Sequence, residues 1–173
     1  TIPLGPKNAV QSIEDITDRI CEASKKLPPG KWIRGAGYNE VYLSEDRHPN
    51  RWDLDKAAPD HPVKLTHRSG HANVLNSLAL GCVGIGPETD DPPEGIIDRD
   101  FETGEPTGVL WGLNDVLSRR IPAIDKKALA RGISLANAAL ISNGITSFQD
   151  ASARNNRERW HWFEHLKSDG ILE

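Results

Sequence analysis

The sequence predicts an α/β fold. Amphipathic helical segments alternate with short apolar runs of strand type along most of the 173 residues. In the last third of the chain, a helix, a strand and a second helix follow one another, an order typical of parallel α/β architectures. The change to this rhythm near residue 122 predicts two parts, residues 1–122 and residues 123–173.

The first predicted helix begins at Ser12, because Asp15 follows three residues later and the pair matches a capping box. Apolar residues then recur at helical spacing until a Pro-Pro-Gly stop at 28–30: Ile13, Ile16, Ile20 and Leu27. Residues 31–34 read as a strand that runs into a glycine-rich segment, and residues 62–66 read as a second strand. The intervening segment, from residue 39 to residue 61, is polar and predicts no regular element.

The stretch from His67 to Leu80 opens with two histidines around Gly70 and continues into an apolar pattern. The pattern predicts a helix with one buried face: Val74, Leu75, Leu78, Ala79 and Cys82. His71 precedes this face by three and four residues, so we expect it at the helix N-terminus, pointing inward. The N-terminal end of a helix favours anions or carbonyl oxygens as neighbours and disfavours a charged imidazole. His71 is therefore a candidate substrate-contacting residue, and packing with a backbone hydrogen bond is the alternative.

Two further strands are predicted at residues 92–100 and 107–111, joined by a turn-prone segment. Asp125 caps the next helix, whose apolar residues keep one face until Asn143 and Gly144 supply a left-handed stop. A strand at 145–149 and a tryptophan-rich helix ending near residue 167 complete the predicted order of elements.

Composition excludes several classes of function. The net charge of −4 and the absence of a basic run give no support to nucleic-acid binding. No apolar run approaches the roughly 18 residues that a membrane span requires. Cys21 and Cys82 are the two cysteines, which fits a reducing, cytoplasmic setting with both thiols free. The chain has no methionine and begins at Thr1 without a signal-peptide pattern, so we expect it to be a piece of a longer protein.

Two short motifs have simpler interpretations. Gly35 and Gly37 would need a third glycine at position 40 to form a nucleotide-binding loop, and that residue is Glu40. His161 and His165 enclose a His-x-x-Glu-His spacing that occurs in one class of zinc peptidases. Only eight residues follow it, however, which leaves little chain for a third ligand. We expect Trp160 and Phe163 to form the buried face of this helix and the two histidines to lie near the surface.

Several longer runs together carry a family resemblance. They include Gly30-Lys-Trp-Ile-Arg-Gly-Ala-Gly-Tyr38, Leu54-Asp-Lys-Ala-Ala-Pro-Asp-His-Pro-Val63, Gly70-His71 with Asn76-Ser77, Gly95-Ile-Ile-Asp-Arg-Asp100, Gly104-Glu-Pro-Thr-Gly-Val-Leu110 and Gly144-Ile-Thr-Ser-Phe-Gln-Asp-Ala151. In this order they resemble the amidohydrolase superfamily of metal-dependent hydrolases, in the branch called amidohydrolase family 3 or YtcJ-like. That branch includes N-substituted formamide deformylases.

The resemblance implies a fold and a metal. This chain would be the inserted α/β subdomain, residues 1–122, plus the start of a (β/α)8 metal-hydrolase barrel, residues 123–173. The family's metal site uses a His-x-His pair, which this chain lacks. The divalent metal, expected to be zinc, would therefore be held before Thr1 and after Glu173, and none is expected in this chain.

The resemblance also implies a reaction and site residues. The parent enzyme would hydrolyse a non-peptide C–N bond of an amide, formamide, carbamate or urea, with a small molecule as substrate and the remainder of the parent chain as partner. His71 and Asp150 are the expected catalytic residues, and His71, Asn76 and Trp111 the expected substrate-binding residues. For Asp150 a helix-capping role is an equal alternative, and Asn76 also fits local hydrogen bonding. The alternative function is a non-catalytic binding module derived from this family, which would lack a His-x-His pair upstream.

Overall fold

The computed structural model describes residues 1–149, 151 and 155–172. It separates into two compact units, unit 1 at residues 1–122 and unit 2 at residues 123–173. Helices and a mixed sheet confirm the predicted α/β class. The assignment of the two units to an insert and a partial barrel stays a prediction.

Unit 1 is built on a six-stranded sheet with the order β1-β2-β3-β4-β6-β5. The first three strands run parallel, and the other pairings are antiparallel. The strands are β1 (Ile2–Pro3), β2 (Ile33–Tyr38), β3 (Val63–His67), β4 (Ala72–Leu75), β5 (Ile96–Arg99) and β6 (Pro106–Trp111).

The described residues form six α-helices besides the strands. Unit 1 contains α1 (Ile13–Ser24), α2 (Arg51–Ala57), α3 (Ser77–Val83) and α4 (Asn114–Arg120). Unit 2 contains α5 (Lys126–Ser142) and α6 (Arg157–Ser168). Short 3-10 turns lie at Pro6–Asn8 and Glu40–Tyr42. No helix among the described residues is both long and apolar enough to cross a bilayer.

The predicted start of α1 is confirmed in atomic detail. The Ser12 hydroxyl accepts a hydrogen bond from the Asp15 N–H at 3.0 Å, and the Asp15 carboxylate accepts one from the Ser12 N–H at 3.0 Å. Ile13, Ile16 and Ile20 are buried as their spacing predicted. They belong to an apolar cluster with residues of β2, β3 and α2, whereas a second cluster joins α3, α4 and β6.

The prediction that a helix begins near His71 is wrong for the first turn of that helix. Ala72–Leu75 form strand β4, which pairs with β3 on one side and β6 on the other. All four residues are buried, so this central strand lacks the apolar and polar alternation that would have revealed it. Helix α3 begins only at Ser77, and Cys82 is exposed instead of buried on its inner face.

Helix α2 lies within the segment that predicted no regular element. Asn50 and Asp53 form a reciprocal capping box at its start, and Leu54 is fully buried against the sheet. The capping pair was visible in the sequence, but the helix has only 7 residues, too few for an apolar period to stand out.

Unit 2 agrees with the sequence for its helices and differs elsewhere. Asp125 accepts a hydrogen bond from the Ala128 N–H, and Gly144 adopts a φ of +74° after α5, as predicted. Residues 145–149 do not form the predicted strand. On α6, Trp160 is 64% exposed rather than buried, and Leu166 supplies the buried position.

Candidate functional site at one edge of the sheet

The topology of the unit 1 sheet brings polar and aromatic side chains to a single edge. Strands β2 and β3 are parallel, so their last residues, Tyr38 and His67, lie at the same edge and are register partners. Strand β4 runs in the opposite direction and begins there, and β6 ends there with Trp111 opposite Ala72. Residues distant in sequence therefore meet where the strands terminate.

His48 joins this edge from the loop before α2. Its Nδ1 atom lies 2.9 Å from the Tyr38 hydroxyl. Its ring makes edge-to-face contacts with Trp111, at 5.1 Å between centroids, and with His67, at 5.6 Å. We name Tyr38, Glu40, His48, His67 and Trp111 the edge cluster.

Glu40 is the acidic member of the edge cluster. Its Oε2 atom is shielded from solvent, 2.8 Å from His67 Nε2 and 3.9 Å from His48 Nε2. These are ion-pair distances, and neither contact has the geometry of a hydrogen bond. The other ring nitrogen of His67 lies 2.8 Å from the Ser69 hydroxyl. One carboxylate thus faces two imidazoles at a half-buried site.

Burial governs the proton affinities in the edge cluster. Burial lowers the pKa of His48, partly opposed by Glu40 and Asp98, whereas His67 lowers it further. Burial, together with Glu40, raises the pKa of Tyr38 well above its usual range. Near neutral pH, His48 is therefore neutral and Tyr38 is protonated. A neutral imidazole can accept the Tyr38 hydrogen bond at Nδ1 and then carries its own proton on Nε2, toward Glu40.

The lowered pKa of His48 predicts a specific pH dependence of stability. Below about pH 6.5 the unfolded state takes up a proton on this residue more readily than the folded state does. The free energy of unfolding is therefore higher above that pH. It decreases as the pH falls from about 6.5 through the lower pKa that His48 has in the folded state. Denaturant unfolding between pH 7 and pH 5 should show the wild type losing stability more steeply than His48→Asn. Parallel pH profiles of the two proteins would contradict this assignment.

His71 lies at the same edge, but not on a helix. It occupies the turn between β3 and β4, and its side chain is exposed rather than directed inward. Its main chain is held on both sides, since its N–H donates to the Ser69 hydroxyl at 3.2 Å and its carbonyl accepts from the Gly112 N–H at 2.9 Å. The imidazole is thus presented to the surroundings from a fixed backbone.

Trp111 and Asn76 differ in what they can contact. Trp111 is 38% exposed beside His48, so one part of its ring is open. Asn76 is fully buried: its oxygen accepts from the N–H groups of Val63 and Ala79, and its amide nitrogen donates to the His61 carbonyl at 2.9 Å. A buried side chain engaged in this way cannot reach a substrate, and the structure gives Asn76 the role of a core cap for α3.

Asn76→Ala should therefore destabilise the chain strongly. The substitution removes an N-cap, about 1 kcal/mol, and leaves buried backbone groups unpaired, about 1–3 kcal/mol more. Asp125→Ala is the matched control, because it removes an exposed N-cap and should cost only about 1 kcal/mol. Equal losses in the two variants, measured by denaturant unfolding, would show that burial of the Asn76 amide contributes nothing.

Asp150 falls outside the described residues. His161 and His165 are exposed on α6, where His161 Nδ1 lies 3.0 Å from the Glu164 carboxylate and His165 Nδ1 lies 2.7 Å from the His161 carbonyl. Both cysteines are free.

A catalytic metal does not fit the described residues. They contain no group of three or more His, Cys, Asp or Glu side chains arranged to hold a metal ion. We therefore derive no chemical step through a metal from this chain.

Sequence reasoning missed most of the edge cluster. His48 and Glu40 lie in loops whose sequences have no periodicity to direct attention to them. A simple rule could have identified Tyr38 and His67 as neighbours, because residues at the carboxyl ends of adjacent parallel strands lie at the same edge of the sheet. Applying that rule required the register between β2 and β3, which only the structure supplies.

The sequence of this chain matches a known protein family. The model of the amidohydrolase family matches residues 4–171. Because this match spans nearly all of the chain, the chain belongs to the amidohydrolase family.

Individual relatives agree with this assignment. An N-substituted formamide deformylase of Arthrobacter pascens is 39% identical over 105 residues, which are 61% of this chain and 19% of the relative. The Bacillus subtilis (strain 168) protein YtcJ, whose name gives amidohydrolase as a proposed activity, is 31% identical over 140 residues, 80% of this chain and 26% of that protein. The chain therefore spans about a quarter or less of the length of these curated relatives.

A solved structure shares the fold. It is an uncharacterized metal-dependent hydrolase from Pyrococcus horikoshii OT3, with a TM-score of 0.60 and 20% sequence identity. The similarity covers 99% of this chain and 31% of that one. At this level of identity the comparison shows a common fold.

Proposed function

We propose that the whole protein is a metal-dependent hydrolase of non-peptide C–N bonds and that this chain shapes its substrate pocket. The observation that carries the proposal is the 39% identity to a protein named as an N-substituted formamide deformylase. The metal, expected to be zinc, would be held by residues outside this chain. It would polarise the substrate carbonyl and activate a water molecule. We further propose a small-molecule substrate and a cytoplasmic location.

The edge of the unit 1 sheet is the proposed pocket wall. It combines an exposed imidazole, His71 in the turn before β4, with a partly exposed aromatic ring, Trp111 at the end of the neighbouring strand β6. Ligand sites are commonly lined by aromatic surface with a few placed polar groups. His71 would contact the substrate directly, whereas His48 and Glu40, more deeply placed, would set the shape and charge behind Trp111.

His71 has a defined chemical role in this proposal. An imidazole N–H can donate a hydrogen bond to the substrate carbonyl oxygen, and this bond strengthens as negative charge develops on that oxygen. A donor fixed before the reaction needs no reorganisation during it, which is why the held backbone of His71 supports the assignment. Asp150 remains a proposed catalytic residue by family resemblance.

Hydrolysis by the whole protein tests the function. The metal-loaded protein should release amine from at least one member of a panel of N-substituted formamides, amides, carbamates and ureas. A chelator should abolish release, and added metal should restore it. A fully metal-loaded protein that hydrolyses none of the panel would favour a binding module derived from the family.

A further inference from the structure

The turn that carries His71 is held by a chain of side-chain hydrogen bonds. The Thr66 hydroxyl on β3 donates to Asn73 Oδ1 on β4 at 3.1 Å. Asn73 Nδ2 donates to Asn114 Oδ1 at 2.9 Å, and Asn114 Nδ2 donates to the Gly70 carbonyl at 2.6 Å. The series begins in the sheet and ends one residue before His71.

The segment after β6 that contains Asn114 also binds the backbone of His71, through Gly112. The Gly112 N–H donates to the His71 carbonyl, so two consecutive carbonyls of the turn, at Gly70 and His71, are bound by residues 112 and 114. Gly112 adopts a φ of +72°, and a Cβ atom there would lie 2.5 Å from the Glu94 carbonyl oxygen. The backbone path that directs this N–H at His71 thus requires glycine.

These bonds exceed what a surface turn requires. Carbonyl groups in an exposed turn can be satisfied by water, whereas Asn73 is fully buried and must find protein partners for its amide. A buried amide in a central strand is a costly way to anchor a turn unless the position of the turn matters. Asn73 binds Asn114, and Asn114 binds the carbonyl of Gly70. The next residue is His71, whose side chain is exposed at the proposed pocket wall.

We propose that Asn114 is a positioning residue for His71. Supported by Asn73, it fixes the Gly70 carbonyl and thereby the backbone from which the imidazole meets the substrate. This inference rests on the proposed function, because it assigns Asn114 an effect on turnover that is exerted through His71. Displacing a catalytic group by about 1 Å can reduce rate roughly 10²-fold, so loosening the turn should be visible in kcat.

The experiment is a double-mutant cycle in the whole, metal-loaded protein. Asn114→Asp keeps the acceptor for Asn73 but places a carboxylate oxygen against the Gly70 carbonyl. Asn114→Ala removes both bonds and serves as the second variant if the first fails to fold. We expect either to lower kcat about 10-fold to 10²-fold with a small change in KM. In a His71→Asn background the same substitution should cause no further loss.

A readout independent of activity accompanies the cycle. Hydrogen–deuterium exchange of the segment 109–114 should be faster in the Asn114 variants, because the bond from the Gly112 N–H to His71 loosens with the turn. Ser118→Ala on the exposed face of α4 is the control, since its hydroxyl donates only within the helix, to the Asp115 carbonyl, and neither exchange nor kcat should change.

The outcomes separate the two claims. If His71→Asn lowers kcat but the Asn114 variants do not, or if the losses multiply in the double variant, the positioning role is overturned and the proposed function stands. Unchanged exchange at 109–114 also overturns the positioning role. If His71→Asn leaves kcat intact in an active enzyme, both the role of His71 and that of Asn114 are overturned.

Discussion

His71→Asn in the whole, metal-loaded protein should lower kcat by about 10²–10³, the scale observed when one oxyanion donor is removed. The His71 side chain is exposed, and the turn is fixed by hydrogen bonds of the main chain that the substitution retains. The melting temperature should therefore be nearly unchanged. A residue that only packs would behave in the opposite way, costing roughly 0.5–1.5 kcal/mol of stability with turnover intact. Steady-state kinetics and a thermal melt distinguish the two.

Arg68→Ala is the matched control for this prediction. Arg68 is an exposed residue of the same turn, and its main-chain N–H, which the substitution retains, donates to the Tyr38 carbonyl. We expect neither kcat nor the melting temperature to move strongly. A kcat unchanged in His71→Asn, with full metal occupancy, would leave His71 without a catalytic role.

Gly108→Ala should produce a large loss of stability in unit 1. Gly108 lies in β6 with a φ of +94°, and a Cβ atom there would be 2.3 Å from the Leu75 carbonyl oxygen and 3.0 Å from Arg51 Cβ. Backbone strain costs about 1–3 kcal/mol and overpacking about 1–3 kcal/mol more. Together they amount to roughly 2–6 kcal/mol, which is comparable with the total stability of many domains.

Gly81→Ala is the corresponding control. Gly81 lies inside α3, and a Cβ atom there would have no neighbouring atom within 4 Å, so alanine should stabilise the helix by roughly 0.5–1 kcal/mol. Denaturant unfolding followed by circular dichroism should therefore move in opposite directions for the two variants. A Gly108→Ala protein as stable as the wild type would show that β6 can shift away from Leu75 and Arg51 without cost.

The sequence predicted elements wherever local signals were sufficient. The Ser12 and Asp15 capping box located α1, and Asp125 with Gly144 bounded α5, because caps depend on residues a few positions apart. Residues 72–75 were assigned wrongly because a short apolar run suits a helix face and a buried strand equally well. The pairing of β4 with β3 and β6, which lies far away in sequence, decides between them.

The candidate site could be predicted from sequence less well than the helices and strands, because its contacts depend on tertiary structure. His71 and Trp111 could be selected by family resemblance, and the structure places both at one sheet edge. Asn76 shared the same motif, yet the structure buries it as a cap. The contacts of His48 with Tyr38 and Trp111 join residues that the chain separates by 10 and 63 positions. No local pattern encodes such contacts, because they follow from strand order.

The most direct test of the account is the metal content of the whole protein, measured by mass spectrometry after dialysis. The proposal that this chain shapes the pocket but does not hold the metal predicts the same metal content per protein in the wild type and in a variant with His71, His161 and His165 all replaced by asparagine. Loss of metal in that variant would contradict the account and place the metal on this chain.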